Sequence, residues 1–144
     1  MPRFVDSRVY RMPSGVFRHV ILVGRFAVKI PRLRNVLSGL RCNRWEREMW
    51  RTWRPIFGWE NLCPIKFADP LGVFVVMPRA LQPVTFEDVV AATPDYYPEI
   101  TSEFKPEDFG RVGNRVLALD YGLPDADMVV QRRAYYIRKT SDGR

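Results

Sequence analysis

Between residues 42 and 53 the chain places Cys42, Trp45, Glu46, Met49, Trp50 and Trp53 at i, i+3, i+4, i+7, i+8 and i+11, which is one stripe of an α-helix. Arg44, Arg47, Glu48 and Arg51 fall on the other side. One member of the stripe differs in kind. Glu46 is an acid among tryptophans, and a carboxylate taken out of water needs a cationic partner. A fold for this chain must therefore bring a positive charge to that face of the helix. Pro55 is expected to end the helix, because it lacks the N–H the next turn would use.

The segments around the helix read as strands. Val9 to Met12, Val16 to Val23 and Arg25 to Ile30 form an expected β-meander, with turn chemistry at Pro13-Ser14-Gly15 and a close at Gly24. In the third strand, FAVKIPR, the residues Phe26, Val28 and Ile30 share one parity while Ala27 and Lys29 share the other. Lys29 and Glu46 each supply what the other lacks. Desolvation can cancel the attraction within a buried ion pair, so such a pair is better suited to orienting a phosphate than to adding stability. Ile65 to Ala68 and Val73 to Met77 are two further strands around an Asp69-Pro70-Leu71-Gly72 loop, with Pro78 breaking the second. Thr85 is placed to cap a short helix over Phe86 to Ala92, and Pro94 to Pro98 reads as loop. Arg111-Val112 and Arg115 to Leu119 flank Gly113-Asn114 as a small hairpin leading into Asp120-Tyr121-Gly122. Residues 133–144, ending RKTSDGR, read as a frayed basic tail.

At 144 residues and 47% hydrophobic content the chain has material for one core, so 1–144 is expected to be a single domain. Charge is uneven: 13 Lys or Arg against 3 Asp or Glu in residues 1 to 54, 3 against 9 in 55 to 110, and 7 against 4 in 111 to 144. A basic face of this kind could attract nucleic acid, an acidic protein or nucleotide phosphates. The nucleic-acid reading rests on charge alone, without helix-turn-helix spacing, an aromatic sheet motif or zinc fingers. Cys42 and Cys63 are expected as buried thiols, and His19 as a polar strand residue, a lone histidine being too few for a zinc site. The charged N-terminus and the short apolar runs predict neither a secretory signal nor a membrane span, which points to the cytoplasm.

FAVKIPR, the acid at Glu46, FKPEDFG from Phe104 to Gly110 and ALDYG from Ala118 to Gly122 occur in the order strand, helix, loop, hairpin. Together they resemble the protein kinases: the V-A-I-K strand with its helix glutamate, the catalytic loop and the D-F-G segment. Glu103 precedes Asp108 by five positions, the separation of aspartate and asparagine in H-R-D-L-x-x-x-N. The resemblance implies an α+β fold: a kinase N-lobe-like antiparallel sheet with one main helix over 9–80, reduced catalytic and metal loops over 81–122, and a C-lobe that is largely absent. It also implies binding of ATP and Mg²⁺. Lys29 would hold the α and β phosphates with Glu46 as its partner, Met77 and Ala80 would join them in binding the nucleotide, Asp108 and Asp120 would hold the metal, and Glu103 would take the place of the catalytic base.

The chain also departs from that pattern. No G-x-G-x-x-G separates the first two strands, Thr101-Ser102-Glu103 stands where His-Arg-Asp is expected, Asp108 replaces the asparagine, and 22 residues follow Gly122. Two functions are therefore expected to compete. One is a minimal ATP- and Mg²⁺-dependent phosphotransferase; the other is a pseudokinase-like module that binds another protein, or a second copy, through the basic helix face of Arg44, Arg47 and Arg51.

Overall fold

A computed structural model describes residues 9–10, 17–92, 100 and 105–141. Strands β1 (Val9–Tyr10), β2 (Arg18–Val23), β3 (Phe26–Pro31), β4 (Phe67–Ala68) and β5 (Val75–Pro78) make one antiparallel sheet in the order β1-β2-β3-β5-β4. Between β3 and the β4–β5 pair the chain leaves the sheet to form α1 (Val36–Glu48) and returns so that β5 lies beside β3. A second sheet, β6 (Phe109–Val112) with β7 (Arg115–Ala118), turns at Gly113, whose φ of 64° suits a residue without Cβ. The architecture is the mixed α and β arrangement expected, but the bounds shift: β3 and β5 each take in the proline expected to stop or break them, Pro31 and Pro78, and β6 begins two residues earlier, at Phe109. Among the described residues, no helix is long and apolar enough to cross a membrane.

Two close approaches set α1 against its surroundings. A Cβ on Gly39 would lie 2.6 Å from the Phe17 carbonyl oxygen and from Pro31 Cβ, so only glycine lets the helix sit this near the β2–β3 end. A Cβ on Gly122 would lie 2.9 Å from the Cys42 carbonyl oxygen, so the Asp120-Tyr121-Gly122 segment crosses the helix at backbone contact. The helix stripe is buried as its periodicity predicts: Cys42, Trp45, Met49 and Trp53 are all in the core.

Pro55 does not end the helix. Residues Met49–Trp53 widen into a π-turn in which the Arg54 N–H donates to the Met49 carbonyl, five residues back. The helix then continues as α2 (Arg54–Phe57), where Pro55 lacks the N–H that the pattern would use and the Trp50 carbonyl accepts from Arg54 Nε at 3.1 Å. It stops at Gly58, in the left-handed region at φ 69°. Short helix α3 (Phe86–Ala92) begins as predicted, with Thr85 Oγ1 accepting from the Asp88 N–H at 3.0 Å and Asp88 Oδ2 accepting from the Thr85 N–H at 3.2 Å.

The expected frayed tail is instead a helix, α4 (Ala126–Ser141), which runs to the end of the described residues. Asp125 caps it, its Oδ1 accepting from the N–H groups of Asp127 at 2.7 Å and Met128 at 3.2 Å. Packing then holds it. Tyr136 is fully buried, with its ring centroid 6.1 Å from Trp45, 5.1 Å from Trp53, 5.4 Å from Phe57 and 5.4 Å from Trp59. One turn away, Arg133 forms a fork on Glu48, with Nε to Oε2 at 3.0 Å and Nη2 to Oε1 at 2.7 Å. Glu48 therefore does not merely point among the helix arginines.

Removing the Tyr136 ring should leave a cavity among four aromatic side chains. Tyr136→Ala is expected to lower the free energy of unfolding by about 3–5 kcal/mol, measured by urea titration with tryptophan fluorescence as the probe.

Candidate functional site

The carboxylate of Glu46 is fully buried, and two cations reach it. Lys29 Nζ donates to Oε1 and Oε2, both at 2.9 Å, and also to the carbonyl oxygen of Leu119. The lysine comes from the middle of β3, where the register sets it between Val20 of β2 and Val75 of β5, with 3% of its surface exposed. The partner required by the helix stripe is thus the lysine that the sequence suggested.

The second cation, Arg18, is one that the sequence did not single out. Its Nη1 donates to Glu46 Oε1 and, at 3.0 Å, to Asn43 Oδ1, while its Nη2 donates to Asp120 Oδ1 at 2.7 Å. Arg18 stands two positions before Val20, the residue opposite Lys29, so strand alternation puts both cations on one sheet face. That parity was the available signal. Asn43 fixes the arginine, its Nδ2 donating to the carbonyls of Lys29 at 3.2 Å and Gly72 at 2.9 Å. It lies three residues before Glu46 on the helix and is fully buried.

The two aspartates also converge here. Asp108 ends a 3₁₀ turn, Pro106–Asp108, and is buried at 4% exposure. Its carbonyl accepts from the N–H of Leu119 at 2.7 Å and of Asp120 at 3.4 Å, stitching the two loops side by side. The Tyr121 N–H reaches Glu46 Oε2 at 3.5 Å, and the Tyr121 hydroxyl donates to the Cys63 carbonyl at 2.9 Å. Lys29, Glu46 and Asp120 are therefore joined in one cluster through Arg18, and the backbone of Asp108 lies directly beside it. Glu103 lies outside the described residues, as do Thr101 and Ser102.

Beside Lys29 opens a cavity of about 240 Å³, lined chiefly by Val20, Leu22, Ala27, Met77, Ala80 and Leu119. Met77 and Ala80, the remaining predicted binding residues, both line it. The strap that follows β5 forms one wall and is fastened to the second sheet. Leu81 and Arg111 exchange backbone hydrogen bonds of 2.8 and 2.9 Å, and Gln82 Nε2 donates to the carbonyls of Glu107 at 3.0 Å and Phe109 at 2.8 Å. The volume falls below the roughly 300–1,000 Å³ of sites that enclose drug-sized ligands.

Electrostatics follow from the burial. Desolvation alone would lower the Arg18 pKa, but Glu46 and Asp120 more than offset it and hold the guanidinium ionised. Burial, helped by Glu46, raises the Tyr121 hydroxyl well above its usual range. It also pushes the Cys42 thiol up to about 11 and the Cys63 thiol up to about 12.

Magnesium takes one or two carboxylates and completes its octahedron with water and phosphate. Asp108 and Asp120 are the right residue type and are adjacent, yet the Asp120 Oδ1 is already bonded to Arg18. One oxygen of the pair is thus committed to a cation of the protein's own. Among the described residues no group of three His, Cys, Asp or Glu side chains could hold a metal ion.

Elsewhere, a groove of about 640 Å³ runs along the outer face of α1, lined by Arg44, Arg47, Glu48, Arg51, Thr52 and Pro70. It contains the three arginines predicted to meet a partner.

No protein-family model matches the chain, and neither curated proteins nor solved structures give a match.

Glu46→Gln would leave two buried cations without the carboxylate they share. It is expected to destabilise the protein by about 3–5 kcal/mol, as breaking a buried ion pair does, in chemical denaturation at neutral pH. With raised pKa values, Cys42 and Cys63 remain protonated in the native protein at pH 8. Iodoacetamide should therefore leave both unmodified in native protein at that pH and alkylate both after unfolding in guanidinium, as read by intact mass.

Proposed function

We propose that this chain is a kinase-like nucleotide-binding protein that takes ATP in the cavity beside Lys29. The observation that carries this reading is the Lys29 side chain, which lines the cavity while its amine is held by both oxygens of the buried Glu46. A base between Val20, Ala27 and Met77 would gain from apolar burial, and its phosphates would extend toward a lysine kept straight by its carboxylate. The meander, the helix carrying Glu46, and the paired loops of Asp108 and Asp120 agree with the resemblance in order and in convergence.

In this reading Lys29 and Glu46 bind and orient, while Met77 and Ala80 shape the base site. Asp108 and Asp120, the residues that the resemblance assigns to Mg²⁺, border the phosphate side, where Asp120 is engaged by Arg18. Glu103, outside the described residues, carries no step of a phosphoryl transfer here. A second reading, a pseudokinase-like module for an acidic protein partner, is favoured by the groove that gathers Arg44, Arg47 and Arg51 on one helix face. The two are compatible, since the groove and the cavity share no lining residue.

ATP at about 100 times its dissociation constant should stabilise the fold by about 2.7 kcal/mol, visible as a raised melting temperature. Ala27→Phe, which fills the cavity and leaves the Glu46 cluster in place, should abolish that shift. An ATP shift unchanged by Ala27→Phe, or no shift with millimolar ATP, would remove the reading.

A further inference from the structure

We propose that Arg18 takes the place of a divalent cation, so that this cleft binds its nucleotide without a metal. The inference rests on the nucleotide reading above and adds to it which form of the ligand is recognised. Its basis is the set of contacts made by one buried side chain. Arg18, 7% exposed, reaches Glu46 and Asn43 through Nη1 and Asp120 through Nη2, spanning strand, helix and loop.

A metal in a nucleotide site neutralises charge among acids and phosphates and bridges the two. The first task is already done here by the protein. Four groups are joined by ion pairs, Arg18 and Lys29 against Glu46 and Asp120, so each of these two carboxylates already faces a cation before any ligand arrives. The guanidinium cannot give up its charge, because arginine is not deprotonated in proteins, and Glu46 and Asp120 reinforce it. A divalent ion seeking Asp120 would have to share its carboxylate with Arg18, whose Nη2 holds Oδ1 at 2.7 Å. It would then face that guanidinium at close range, a like-charge contact in a poorly solvated site. Withdrawal of Arg18 is opposed as well, since Asn43 accepts from its Nη1 and is itself tied to the carbonyls of Lys29 and Gly72.

A bound nucleotide in this cleft would then meet one fixed cation at the wall and a second behind it that is held by the protein's own acids. Lys29 lies at the cavity wall, and Arg18 shares the same carboxylate behind it. Metal-free ATP, rather than its magnesium complex, is the form that this charge arrangement accepts.

The test is titration calorimetry of the full chain with ATP, once in EDTA and once in excess Mg²⁺, with the same comparison on Arg18→Met. The wild type should bind ATP in EDTA with a dissociation constant within about threefold of that in Mg²⁺. Arg18→Met should lose at least about tenfold in EDTA and recover with Mg²⁺, a tenfold change being 1.4 kcal/mol. Wild-type binding that appears only with Mg²⁺ overturns the proposal while leaving the nucleotide reading intact. Absence of binding in both buffers overturns the two together. Should Arg18→Met fail to fold, the wild-type comparison alone decides, because it needs no variant.

Discussion

The arrangement of this protein depends on one carboxylate. Glu46 sits fully buried on a helix side whose other buried residues carry no charge, Asn43 being the polar one among them, and an unpaired charge there would be strongly destabilising. Satisfying it draws Lys29 from the centre of β3, Arg18 from the start of β2 and the Tyr121 backbone from the loop after β7. Three parts of the chain far apart in sequence are thereby tied to one helical turn. Replacing such a cluster with apolar side chains need not reduce stability, so its presence is better explained by what its charges hold in place. The cavity begins at the same lysine.

Much of this was legible because it follows from periodicity. A stripe at helical spacing with a single acid in it demands a buried cation, and a lysine on a strand of apolar neighbours answers that demand. The convergence of Asp108 and Asp120 could be anticipated only by resemblance, since nothing local says that a 3₁₀ turn and a hairpin exit will share backbone hydrogen bonds. Met77 and Ala80 likewise line the cavity because β5 returns beside β3, a pairing fixed by sheet order and not by either residue's neighbours in sequence.

Arg18 and Asn43 went unread for a different reason. In a chain with 23 Lys or Arg, one more arginine at a strand start carries no signal, and asparagine in a helix is ordinarily a solvent-facing residue. Only the strand register reveals that Arg18 shares a face with Lys29, and only helix packing reveals that Asn43 faces inward. The C-terminal helix escaped notice because its polar composition conceals a short buried edge. Tyr136 is its fully buried side chain, supported by the fork between Arg133 and Glu48. Local propensity and capping could have indicated a helix over Ala126–Ser141; its docking surface lies on other elements.

The widened turn at Met49–Trp53 bears on how the molecule tolerates change in length. Each helical residue rotates the chain by about 100°, so a turn holding one extra residue resets the angular phase between the helical segments on its two sides. Glu46 and Trp45 belong to the first phase, Phe57 and the Gly58 stop to the second, and Tyr136 touches both Trp45 and Phe57. The π-turn thus works as a phase coupling between the ionic cluster and the aromatic seat of the last helix. Shortening the chain by one residue there would restore plain α-helical hydrogen bonding and leave both halves close to the phase in which they meet their partners.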